Sequence, residues 1–97
     1  MQPDIEKHIE QVFSSEQHAR AKSLISSAVL HDGSAASPRC QRAALVGSHG
    51  SIDKLEYLVE LLKIDYRDVI VAGEYEGPLL SPLKVRDLTK PFFNGIG

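Results

Sequence analysis

The residues of this 97-residue chain whose types and spacing are best suited to chemistry are charged ones: Asp65, Arg67, Asp68 and Glu74, together with Arg39 and Arg42. Paired carboxylates can share acid and base work while an arginine orients an anion between them. The same residues also have an ordinary structural use. Asp65 can cap a helix, and the arginines can bind carboxylates or helix-end carbonyls where two helices meet. No nucleophile, base and orienting group fall together in this set, so no catalytic residue is assigned. Arg39, Arg42 and Arg67 remain a possible anion contact if they converge on one pocket.

Other motifs carry less. His8, His18, His31 and His49 with Cys40 offer metal-ligand chemistry, but no pair has the i, i+4 spacing of a helical site and no CxxC occurs, so no metal or cofactor is expected. Gly47-Ser48-His49-Gly50 has the glycine spacing of a backbone-clamping loop, yet neither inner residue is basic and the lysine of a phosphate loop is missing. It reads as a helix end followed by a helix start. The next segment, Ser51-Ile52-Asp53-Lys54-Leu55-Glu56-Tyr57, carries more acid than base, which argues against a recognition helix on DNA.

The elements that must position these residues are helical. Ile5, Ile9, Val12 and Phe13 share one face of a helix over 4–13. Ser14 and Gln17 match a capping box that starts a second helix. This helix carries Ala21, Leu24, Ile25 and Ala28 and closes at Asp32-Gly33, after which residues 33–37 read as a flexible connector. Ser37-Pro38 starts a third, ending near Val46 with Gly47 and Gly50 as breakers. Ser51 caps a fourth, whose apolar stripe runs through Leu55, Leu58, Val59, Leu62, Tyr66, Val69, Ile70 and Gly73. A break at Ile64-Asp65 is expected, with Asp65 capping a short fifth helix.

The expected fold is all-α: a compact bundle of four or five short helices over residues 1–76, with an apolar, proline-containing C-terminal arm over 77–97. The core should draw on Ile5, Ile9, Val12, Phe13, Leu24, Ile25, Ala28, Ala44, Leu55, Leu58, Val59, Leu62, Val69 and Ile70. Pro78, Pro82 and Pro91 keep the arm out of regular helix, and its many leucines and phenylalanines predict that it packs on its own domain, a second copy or a partner.

A longer pattern joins several of these residues: Arg39-x-Gln41-Arg42-Ala43-x-Leu45, Gly50-x-Ile52-x-x-Leu55, Asp65-Tyr66-Arg67-Asp68-Val69-Ile70 and Glu74-Tyr75. It resembles a group of short, uncharacterised bacterial helical proteins, many of which carry aspartate where this chain has Ser51. The resemblance covers about residues 39–76. It implies a helical fold and a bacterial source, and brings no activity, cofactor or catalytic residue.

A net charge of −2 supplies no basic field for nucleic acid or anionic lipid. The single cysteine fits a reducing compartment, no apolar run approaches the about 20 residues that cross a bilayer, and the acidic start is unlike a secretory signal. The expected location is the cytoplasm. The expected function is a protein–protein interaction or self-associating module, possible as a homodimer, without nucleic acid or membrane partners. Tyr57, Leu79, Leu80, Phe92 and Phe93 are the candidate interaction residues. The alternative is a small-ligand or anion-binding domain built on the three arginines.

Overall fold

Pro3 opens the first helix, α1 (Pro3–Val12): proline at the first helical position has no amide to leave unpaired, and its φ is already close to helical. Asp4 and Glu6 place negative charge in the first turn, at the positive end of the helix dipole. The computed structural model describes residues 2–74 and Leu88. Among these residues there are four α-helices and one short 3₁₀ turn, as expected for an all-α bundle; the proposed boundary at 76 lies outside the described residues.

Ile5 and Ile9 of α1 are fully buried. Val12, expected in the core, is instead 41% exposed. The helix stops there, and the extended backbone at Phe13 turns the aromatic ring inward in its place. The capping box expected next does not form. Ser14 makes no side-chain cap; its carbonyl accepts the Gln17 N–H at 2.9 Å, tightening Ser15–Gln17 into a 3₁₀ turn before α2 (His18–Ser26). His18 Nε2 lies 2.9 Å from the Phe13 carbonyl, so that ring nitrogen is the donor.

The second helix ends earlier than its periodicity suggests. Ser27 Oγ donates to the Ser23 carbonyl at 2.7 Å, and such short hydroxyl bonds compete with the helix ladder. The residues expected to form a flexible connector form a paired turn instead. Val29 bridges Ala35, the Leu30 N–H donates to the Ser34 carbonyl at 2.8 Å, and Asp32 Oδ1 accepts from the Ser34 amide at 3.0 Å and its hydroxyl at 2.6 Å. Those two bonds from Ser34, the hydroxyl first, hold the Asp32 carboxyl below its ordinary pKa.

Ser37 and Pro38 start α3 (Pro38–Ser48) as their types predict, with Ser37 Oγ accepting the Cys40 N–H at 3.3 Å. The helix runs two residues beyond Val46. Gly47 lies inside it, and the chain turns at His49 (φ 51°) and Gly50 (φ 78°). Gly50 needs to be glycine twice over: its φ is left-handed, and a Cβ there would stand 3.0 Å from the Val12 carbonyl oxygen. Every residue from Arg42 to Ser48 is buried, so α3 is the central helix, with α4 packed along it. Gln41 Nε2 donates to the Ile25 carbonyl at 3.2 Å, beside the Ala28 N–H that the same oxygen accepts, and so ties α3 to the end of α2.

The last described helix, α4 (Ile52–Glu74), starts with Ser51 Oγ accepting the Lys54 N–H at 3.3 Å. It kinks at Asp65, where φ −152° and ψ 97° leave the helical region, at the place the sequence marks. Asp65 Oδ1 accepts the Arg67 N–H at 3.0 Å and caps the second limb. The kink has a packing consequence. Leu58 before it and Ala72 and Gly73 after it all reach α3, so one helix wraps its neighbour with two limbs. Leu55, Leu58, Val59, Leu62, Val69 and Gly73 are buried on that side. Two expected core residues, Leu24 and Ile70, are only half-buried against the core, and Tyr66, beside the kink, is 43% exposed rather than part of the stripe.

Because Asp65 is a cap at a break within α4, Asp65→Ala should cost about 1 kcal/mol. For a domain of this size that is a fall of about 4–8 °C in Tm, read by circular dichroism. An unchanged melt would remove the capping role.

Candidate functional site

The densest charged set of the sequence is separated by the fold into three ion pairs on different parts of the surface and core. Arg39, in the first turn of α3, forms a two-pronged bond with Glu74 at the end of α4: Nε donates to Oε2 at 2.6 Å and Nη2 to Oε1 at 2.7 Å. The Glu74 carboxylate is nearly buried. A carboxylate is badly placed at the negative end of a helix, and a planar guanidinium offsets both that repulsion and the loss of water.

Arg42 is one turn further along α3 and buried, with its side chain 3% exposed. All three of its guanidinium nitrogens donate. Nε reaches Asp4 Oδ2 at 2.9 Å, Nη2 reaches Gln2 Oε1 at 2.6 Å and Asp4 Oδ1 at 3.2 Å, and Nη1 reaches the Leu88 carbonyl at 3.0 Å. This node joins the start of α1, the middle of α3 and a buried leucine fourteen positions beyond the end of α4. A lysine has neither the fork nor the reach for this set of acceptors.

Arg67 sits apart from both, largely exposed, with Nε 3.3 Å from the Asp65 carboxylate two residues earlier. Arg39 and Arg42 would each have to leave a carboxylate to serve an external anion. Asp68 is exposed. Further ion pairs clip the helices together at the surface: Arg20 with Glu56 between α2 and α4, and Lys22 with Glu10 at 3.0 Å between α1 and α2. The Lys22 ammonium, through its hydrogen bond and then its charge, lowers the Glu10 pKa, and the hydrogen bond from Glu10 raises that of Lys22.

No family model, curated protein or solved structure matches this chain. The site must be read from its own geometry.

Among the described residues, no group of three His, Cys, Asp or Glu side chains is placed to hold a metal ion. Cys40 is buried in the first turn of α3, and His49 stands exposed at the left-handed cap of the same helix. No described helix is long and apolar enough to cross a membrane.

The outer side of α4 is different in kind. Tyr57, Ile64 and Val71 are 62%, 74% and 52% exposed, and each lies seven residues from the next. Seven residues make nearly two helical turns, so Tyr57 and Ile64 stand on one line about 10 Å apart, with Val71 on the outside of the second limb. Asp53 and Glu60, also exposed, flank the line on the first limb. Sequence reading found Tyr57 because it falls off the buried stripe. It missed Ile64 and Val71, although the seven-residue spacing was there to be seen. Leu79, Leu80, Phe92 and Phe93 lie outside the described residues.

Proposed function

We propose that this chain is a small bacterial, cytoplasmic interaction module that self-associates, and that the outer line of α4 is part of the contact. The observation that supports it is the exposure of Tyr57, Ile64 and Val71 at seven-residue spacing, while the opposite side of the same helix is fully used in the core. Isolated exposed apolar residues are ordinary on a protein surface, but a repeated line of large ones on one helix is what helix pairing consumes. A second copy is the economical partner, since a two-fold contact lets one surface patch serve both subunits. The apolar residues of the C-terminal arm belong to the same reading as a second source of contact area.

Ile64 stands at the middle of the line and is the residue to change. Ile64→Lys replaces a buried contact with a charge that must be desolvated on pairing. Sedimentation velocity across a concentration series should show dimer association weakened at least tenfold, a loss of about 1.4 kcal/mol, with the melting temperature of the monomer unmoved. Equal association of the variant and the natural chain would remove α4 from the interface.

A further inference from the structure

The outer line of α4 carries charge as well as apolar surface, and two charges of opposite sign flank its centre. Glu60 lies one turn before Ile64 on the first limb, and Arg67 lies one turn before Val71 on the second. Both side chains are largely exposed. Among the described residues each has a local partner: Lys63 lies 3.3 Å from Glu60 on the next turn, and Arg67 Nε lies 3.3 Å from Asp65 two residues back. Exposed pairs of this kind contribute little, so both groups are free to take a better partner.

The kink decides where two copies touch. Because α4 wraps α3 with two limbs, its outer side falls away from a neighbour on both sides of Asp65. Ile64, beside the bend and the most exposed of the apolar line, is then the point of closest approach.

We propose that two copies pair through α4 in antiparallel fashion, with the two-fold axis beside Ile64, so that Glu60 of each copy meets Arg67 of the other. This rests on the self-association reading and gives it a direction. A two-fold axis placed there sets a residue some positions before Ile64 opposite one as many positions after it. Ile64 meets its own counterpart, and Tyr57 comes opposite Val71. Glu60, four positions before, comes beside Arg67, three positions after. The match is made twice, once at each end of the contact. A parallel pairing does the reverse. Each residue then faces its own counterpart, which sets Asp53 against Asp53 and Glu60 against Glu60, all acidic and exposed. Like charges brought together in this way oppose the pairing, and opposite ones fix its register.

The test uses the full chain at low ionic strength, where surface charges are least screened. Sedimentation velocity on Glu60→Arg and on Arg67→Glu should each show dimer association weakened at least tenfold, since each change places two like-charged pairs in the contact. The double variant restores both pairs with their signs reversed, and should associate within threefold of the natural chain. In a parallel pairing neither single change creates a new repulsion and the double change rescues nothing. Singles that associate as the natural chain does, or singles that weaken with no recovery in the double, therefore overturn the antiparallel register and leave the self-association reading standing. A natural chain that stays monomeric overturns both.

Discussion

Replacing Arg42 with methionine is expected to destabilise the domain by about 4 kcal/mol, because it leaves the buried Asp4 carboxylate without its cation. The loss is large relative to the 5–15 kcal/mol that holds a typical domain folded, and urea denaturation at neutral pH is the direct measurement. The cost should come mainly from the charge left behind, not from the bond removed. Asp4→Leu introduced into the Arg42→Met background should therefore recover part of the lost stability, although the same change alone is harmful. If Arg42→Met melts within a degree of the natural chain, the buried node contributes nothing and the reading of the three arginines must be revised.

The second large effect concerns two glycines that look alike in the sequence. A Cβ on Gly73 would lie 2.5 Å from Ala43 Cα and 2.6 Å from its carbonyl oxygen, backbone that cannot move without displacing the whole central helix. A Cβ on Gly47 would meet the end of the Leu58 side chain at 3.0 Å and the Ala72 Cβ at 3.3 Å, of which the leucine tip can rotate away. Both positions are within helices, so alanine gains about 1 kcal/mol of helix propensity at each. At Gly73 the forced separation of α3 and α4 outweighs it, for a net loss of about 3 kcal/mol and a Tm lower by about 15 °C. Gly47→Ala should change stability by less than about 1 kcal/mol. Equal behaviour of the two variants in thermal melts would contradict the close approach at Gly73.

Much of this architecture was legible because it is local. Ser37-Pro38 and Ser51 name their helix starts by chemistry alone, and Asp65 marks the kink through a carboxylate that needs only the amide two residues on. The apolar stripe of α4 is likewise a matter of spacing. What escaped depends on partners far away in the chain. Gly47 reads as a helix breaker, and only the packed neighbours Leu58 and Ala72 show why a glycine sits inside the helix. Arg42 reads as a partner for a carboxylate or a carbonyl without saying which one, since its acceptors Gln2, Asp4 and Leu88 lie about forty residues off in either direction. The three arginines were close in type and role on the page of the sequence, and the fold sends each to a different carboxylate.

Short-range polar competition accounts for two further corrections. Serines at 23, 26 and 27 draw the end of α2 forward, and Asp32 with Ser34 turns a stretch of small residues into a paired turn. The candidate site was legible in part. Tyr57 is exposed as its position off the stripe suggests, while Ile64 and Val71 complete the line only once the kink and the buried side of α4 are known.

Self-association is the central claim, and sedimentation equilibrium of the full chain from low to tens of micromolar tests it most directly. A mass that rises with concentration toward twice that of the 10.7 kDa monomer is the predicted result. A monomer mass across the whole range would contradict it.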